Sequence, residues 1–267
     1  MLGVMQDVPL SISHLFDRAE KYHGRKEIIT AVPGGRERRT YAQWAERTRR
    51  LGGVLDRLGI SEQGRVATFA WNSARHLELY FAAPCTGRVL HTLNIRLFPE
   101  QLTYIVNHAD DEVIFVDRSL LGLLAPLLGT FERLRHLVVM EDGAEVVPVD
   151  TGRFELLDYE ALLAESEPVE WSPVDEYRAA SMCYTSGTTG NPKGVVYTHR
   201  STFLHTMGVL TVDSLGVRES DVVMPVVPMF HVNAWGLAHA GVASVAGLVM
   251  PGADLSGRGL ANLIVEE

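Results

Sequence analysis

The sequence has little cysteine and no long run of basic residues. Its two cysteines, Cys85 and Cys183, lie far apart in apolar surroundings, which argues against a disulfide framework or a thiolate metal site and fits a reducing compartment. Lys and Arg together number 24 against 33 Asp and Glu, and glutamates interrupt the arginine groups at 36–39 and 47–50. We therefore expect no nucleic-acid partner.

The sequence also lacks a hydrophobic run long enough to cross a bilayer. The most apolar segment, residues 235–250, is shorter than the roughly 20 residues that a spanning helix needs. The N-terminus has no basic region followed by an apolar core, as a secretion signal would have. We expect a cytoplasmic protein without a transmembrane segment, and we expect residues 235–250 to form a buried helix that runs into a strand.

Helical and strand patterns alternate along the chain, which predicts the α/β class with largely parallel sheets flanked by helices. Thr40 and Gln43 form a capping box before a helix that ends at Gly59. Asn72 is expected to cap the next helix. A further helix is predicted from 201 to about 215, and a strand over 222–227.

A change in composition predicts a boundary near residue 178. Residues 141–178 are rich in Glu, Asp and Pro and contain one short helical pattern. We predict an N-terminal α/β subdomain with its linker over 1–178 and the start of a second α/β subdomain over 179–267. The helical pattern at the end of the chain stops without a Gly or basic C-cap. We expect this helix to belong to a strand–helix–strand connection that the sequence does not complete.

The stretch "YTSGTTGNPKGVVYTH", residues 184–199, places a polar loop, residues 186–192, between two apolar strands. Glycines can take positive φ, so consecutive backbone N–H groups can form a nest that binds anions. The hydroxyls can donate to phosphate oxygens and Lys193 adds a positive charge. A polyphosphate is the expected ligand, although an ordinary Ser/Thr/Gly-rich surface turn would have the same composition.

Two motifs carry a family resemblance. "YTSGTTGNPKG" resembles the phosphate-binding signature of the AMP-forming acyl-CoA synthetases and related adenylating enzymes at every characteristic position. "VVPMFHVNAWG", residues 226–236, is similar to the next motif of that family, at about the expected distance. Residues 89–117 look like the fatty-acyl-CoA synthetase branch. The resemblance covers nearly the whole chain.

The resemblance implies a medium- or long-chain fatty-acid–CoA ligase. Such an enzyme joins a carboxylate to ATP, releases pyrophosphate, and transfers the acyl group to coenzyme A, with Mg²⁺ as a cofactor. By resemblance, His231 is a catalytic-site residue at the wall between the adenylate and acyl pockets, and Trp235 is the gate of an acyl tunnel. No metal ligands are assigned. The resemblance assigns phosphate binding to Thr185, Ser186, Gly187, Thr188, Thr189, Gly190 and Lys193.

Family members continue for about as many residues again and carry an adenine motif, a ribose-binding Asp and a C-terminal domain that this sequence lacks. We therefore expect the chain to be the N-terminal part of a ligase, with little or no activity alone. Alternatives stay open: an enzyme that activates an aryl or amino acid, a noncatalytic nucleotide-binding module, or a homodimeric scaffold built through the N-terminal region. Most histidines, His205 and His239 among them, have no metal-ligand spacing and receive no chemical role.

Overall fold

Two sheets flanked by helices form the computed structural model, which describes residues 3, 5, 7–146, 148–185 and 191–267. In these residues the strands, β1 to β11 in chain order, are Glu27–Val32, Gly35–Thr40, Arg65–Phe69, Val89–Thr92, Asp111–Asp117, His136–Met140, Leu156–Asp158, Ala179–Thr185, Lys193–Thr198, Val222–Val223 and Gly247–Met250. The α-helices, α1 to α9, are Ser13–Tyr22, Tyr41–Arg57, Ala74–Cys85, Pro99–Ala109, Leu121–Leu124, Tyr159–Ala164, His199–Val209, Leu237–Ser244 and Gly257–Glu266.

The larger sheet has the order β7-β6-β5-β3-β4-β8-β9 and is parallel except for β9, which runs antiparallel to β8. The smaller sheet has the order β10-β11-β1-β2, and only β2 is antiparallel to its neighbour. Parallel neighbours need crossover connections, and helices on both faces supply them. The predicted α/β class with largely parallel sheets is confirmed.

Both sheets draw strands from the two sides of residue 178. β8 follows that residue and pairs with β4, whereas β1 precedes it and pairs with β11. The subdomain boundary proposed at 178 stays a prediction, and it does not separate one sheet from the other.

Local signals explain most helix starts, with one correction. The capping box of Thr40 and Gln43 begins α2 as predicted. The cap of α3 is Ser73, whose hydroxyl accepts from the backbone N–H of His76, and not Asn72. The side chain of Asn72 instead binds the backbone around residue 227. A cap of either kind satisfies an N–H left free at the first helical turn.

The segment after α7 is less regular than its apolar pattern predicts. α7 ends at Val209 and not near residue 215. In the predicted strand over 222–227, only Val222–Val223 pairs with β11. Pro225 and Pro228 have no N–H to give to a ladder, so the sheet ends before them and the chain turns toward α3.

A continuous apolar core lies between the sheets and the first three helices. Phe16, Trp44 and Phe81 pack there with ring centroids 5.2–6.1 Å apart and are almost fully buried. Such aromatic packing fixes α1, α2 and α3 against one another. Within the residues that the structure describes, no helix combines the length and the apolar character needed to cross a membrane.

Candidate functional site

The β8–β9 pair carries both ends of the polar loop. Thr185 at the end of β8 lies opposite Lys193 at the start of β9. Both residues are exposed. Five of the residues predicted to bind phosphate, 186–190, lie outside the described residues. The structure thus brings the two described members of the predicted set together at one sheet edge.

One face of this strand pair leads away from the polar loop. Directly opposed residues of an antiparallel pair point to the same face, and alternate residues along a strand share it. Thr185 and Lys193 therefore share a face with Ser181 and Tyr197, which are opposed four residues further along. At about 3.3 Å per residue, Tyr197 lies about 13 Å from Lys193.

A cavity of about 410 Å³ opens beside Tyr197, and we call it the Trp235 cavity. Its size falls within the range of small-molecule sites. Its walls come from β9, α7 and the segment that enters α8. The lining residues are Tyr197, Ser201, Thr202, His205, Val232, Asn233, Trp235, Gly236 and His239.

A left-handed turn, residues 232–236, forms one wall of the cavity. Val232, Asn233, Ala234 and Trp235 have φ between 47° and 54°, and Gly236 has φ 78°. Left-handed backbone costs a non-glycine residue roughly 1–2 kcal/mol because Cβ approaches the carbonyl oxygen. A β-branched valine there is a clear outlier. Strain of this kind persists only where the surroundings impose it, and it clusters at functional sites.

Buried hydrogen bonds impose the turn. The side-chain oxygen of Asn233 accepts from the hydroxyls of Thr92 at 3.2 Å and Tyr80 at 3.4 Å, and its amide donates to Ser181 at 3.2 Å. Asn233 tolerates left-handed backbone better than most residues, so it suits this position. The turn is thereby attached to α3, β4 and β8.

The glycine that ends the turn is required by space as well as by φ. A Cβ on Gly236 would lie 2.8–2.9 Å from the imidazole of His205. That imidazole contacts the carbonyl oxygen of Trp235 through Nε2 at 3.3 Å.

Asn72 holds the segment before the turn, residues 225–229. Its side chain binds the carbonyl oxygens of Pro225 and Val227 and the N–H of Met229 at 2.7–3.0 Å.

The two residues predicted from the second motif are placed differently. Trp235 lines the cavity, and 59% of the residue is exposed. His231 is exposed at the start of the turn and is not among the lining residues. The helix predicted from residue 235 begins only at Leu237, because the left-handed turn precedes it. The strand predicted after that helix is confirmed as β11.

Sequence reasoning gave no role to His239, which the structure places in the cavity wall. The residue is 2% exposed, and its ring packs 5.4–5.5 Å from the rings of Phe81 and Tyr80. Burial, followed by the charges of His205 and His199, lowers the pKa of His239 to about 3, so the imidazole is neutral at neutral pH. In the sequence His239 lies within an apolar helical pattern, and no motif there marks it as a site residue.

Replacing Asn233 with Leu tests the support of the turn. The change removes the acceptor of Thr92 and the donor to Ser181 and puts an unfavourable residue in left-handed backbone. We expect the free energy of unfolding to fall by about 2 kcal/mol in urea titrations. The matched change Asn262→Leu, at an exposed position of α9, should shift it by less than about 0.5 kcal/mol. Equal effects of the two variants would contradict the account.

A family model described as "AMP-binding enzyme" matches residues 15–266. The chain belongs to the AMP-binding enzyme family. Within it, the chain is 49% identical over 269 residues to the 3-methylmercaptopropionyl-CoA ligase of Ruegeria pomeroyi, covering 99% of this chain and 49% of that protein.

The chain is also 42% identical over 269 residues to a medium-chain-fatty-acid–CoA ligase of Ectopseudomonas oleovorans, covering 100% of this chain and 49% of that protein. A solved long-chain-fatty-acid-CoA ligase from Archaeoglobus fulgidus has the same fold, with a TM-score of 0.81, 23% identity, and coverage of 95% of this chain and 49% of that one. The chain spans about half the length of the curated relatives it matches.

Proposed function

We propose that this chain provides the carboxylate-activating part of an acid–CoA ligase. In this proposal the carboxylate attacks the α-phosphorus of ATP, the bond to pyrophosphate breaks, and the acyl group of the acyl-adenylate passes to the thiol of coenzyme A. One observation carries the proposal: a single face of the β8–β9 pair joins the ends of the polar loop to the Trp235 cavity, whose lining residue Tyr197 lies about 13 Å from Lys193 along β9. The relatives add support, since they are acid–CoA ligases by name.

The role proposed for the loop is electrostatic. Negative charge develops on pyrophosphate as it leaves, and preorganised donors at that position lower the barrier. Lys193 supplies a mobile positive charge and Thr185 a hydroxyl, opposite one another at the sheet edge. The remaining proposed phosphate ligands are residues 186–190.

A magnesium ion would neutralise phosphate charge when bound. In the part of the chain that the structure describes, no three His, Cys, Asp or Glu side chains group together as a metal site. We assign no step to the ion.

The acid proposed for the cavity is a medium- or long-chain fatty acid, with Trp235 as its gate and His231 at the wall toward the adenylate. Support for the gate is the position of Trp235 at the cavity wall with an exposed indole. A tunnel gate needs an aromatic surface that an alkyl chain can pass, and indole offers a large apolar face. For His231 the support is its place at the start of the left-handed turn.

Trp235→Ala tests the gate. Loss of the indole widens the cavity mouth, so we expect the ratio of kcat/KM for long over short fatty acids to change by about tenfold or more. The measurement is acid-dependent turnover over a series of chain lengths. Tyr177→Ala, which removes an aromatic side chain 70% exposed elsewhere on the surface, is the matched control and should leave the ratio unchanged. An unchanged ratio for Trp235→Ala would remove the gate.

The experiment for the proposed function is ATP–pyrophosphate exchange with a panel of fatty, methylthio-substituted, aryl and amino acids. It uses the complete product of the reading frame that encodes this chain, and the 267-residue chain beside it. We expect exchange with fatty or methylthio-substituted acids. Exchange with aryl or amino acids alone would support the alternative adenylating enzyme. Nucleotide binding without exchange with any acid would support the noncatalytic module.

A further inference from the structure

Of the polar side chains that line the Trp235 cavity, His239 is the most deeply buried. The ring of His205 is hydrogen-bonded to the carbonyl oxygen of Trp235. Ser201 belongs to the capping box of α7, where its hydroxyl donates to the carbonyl oxygen of Thr198. For His239, neither ring nitrogen has a hydrogen-bond partner within the described part of the chain, although the residue is 98% buried and lines the cavity.

An unpartnered imidazole in a buried position is unfavourable. A polar group that loses water without a replacement hydrogen bond is destabilised, so an occupant of the cavity that displaces water from the ring must replace that hydrogen bond. The neutral ring has one donor and one acceptor nitrogen. Tyr80 and Phe81 pack against the ring, so a hydrogen-bond partner can reach it only from the cavity.

An acid with an alkyl chain and an acid with a heteroatom in its chain would interact differently with this ring. A methylene group that fills the cavity removes water from the ring and returns no hydrogen bond. An ether, hydroxyl or carbonyl oxygen returns one, and a thioether sulfur returns a weaker one because it is a weak acceptor. A site that hydrogen-bonds a substrate group rejects analogues without that group more strongly than an apolar site discriminates between substrates that differ by one methylene.

We propose that His239 is a specificity-determining residue that hydrogen-bonds a heteroatom in the chain of the acid, so that the cavity favours acids carrying an oxygen or a sulfur over alkyl acids of equal length. This inference rests on the proposed function and narrows its substrate class. For acids of one length the order of kcat/KM is oxygen, then sulfur, then methylene.

The test compares an alkanoate with analogues in which oxygen or sulfur replaces one methylene, at each chain position in turn. kcat/KM is measured by ATP–pyrophosphate exchange with the complete product of the reading frame. In His239→Phe a ring of similar shape has no nitrogen, so the ratio of kcat/KM for the best oxygen analogue over that for the alkanoate should fall by about ten- to a hundredfold. His239→Gln keeps a donor and an acceptor and should retain the preference.

A binding measurement keeps the test independent of turnover and of folding. In protein labelled with ¹⁵N at histidine, the imidazole nitrogens of His239, assigned by their loss in His239→Phe, should shift on addition of the oxygen analogue and shift less with the alkanoate. Equal preferences in wild type and His239→Phe, or equal nitrogen shifts with both acids, would overturn this inference while leaving the proposed function intact. Exchange with no acid at all would overturn both.

Discussion

Replacing Lys193 with Ala is expected to slow acid-dependent ATP–pyrophosphate exchange by about 10²–10³-fold. That is the usual loss when one preorganised group that stabilises developing charge is removed from an active site. Lys193 lies at the end of the polar loop, opposite Thr185, and its side chain is exposed, so its removal should not disturb the core. The expected signature is a lower kcat at saturating ATP, because the charge on pyrophosphate develops only as the bond breaks.

Lys21→Ala is the control for the loss of one surface lysine. Lys21 lies on α1, is 61% exposed in its side chain, and pairs with Asp17 at 3.6 Å. Exchange by this variant should match the wild type. A Lys193→Ala enzyme with unchanged exchange would contradict the electrostatic role, whatever the control shows.

Glu78→Ala is expected to lower the free energy of unfolding by about 3–5 kcal/mol. The carboxylate of Glu78 is fully buried on α3 and accepts from Arg47 Nε at 2.7 Å and from the hydroxyl of Tyr159. Truncation leaves a partly buried guanidinium and a buried hydroxyl without that partner, and removing one member of a buried network of charges and hydrogen bonds is strongly destabilising. Arg47 would keep its second partner, Glu160.

Chemical denaturation followed by circular dichroism measures this effect. Glu46→Ala provides the contrast, since Glu46 is 58% exposed and its i,i+4 pair with Arg50 should contribute less than about 0.5 kcal/mol. A Glu78→Ala loss below about 1 kcal/mol would mean that the buried network does not hold α2, α3 and α6 together.

Much of the fold was predictable because its signals are local. The capping box of Thr40, the turn between β1 and β2, and the apolar runs of β3, β5 and β6 each act within a few residues. The cap of α3 was assigned one residue early, since Asn72 and Ser73 are equally good caps by type. Only the position of residues 225–229 shows why Asn72 is used elsewhere.

The site was predictable in its motifs and not in its shape. Thr185, Lys193 and Trp235 could be named from the sequence, but the left-handed turn that presents Trp235 depends on hydroxyls from α3, β4 and β8, which are distant in sequence. His239 reads as an ordinary residue of an apolar helix. Its position in the cavity wall follows from packing between elements, which no local pattern records.

The most direct test of the central claim follows the oxygen atoms of the acid. The complete product of the reading frame is incubated with ATP, coenzyme A and a fatty or methylthio-substituted acid carrying ¹⁸O in its carboxylate, and the nucleotide products are analysed by mass spectrometry. Attack of the carboxylate on the α-phosphorus, followed by transfer of the acyl group to the thiol, predicts one ¹⁸O atom in AMP and none in pyrophosphate. Label in phosphate with formation of ADP, or AMP without label, would contradict activation of the acid as an adenylate.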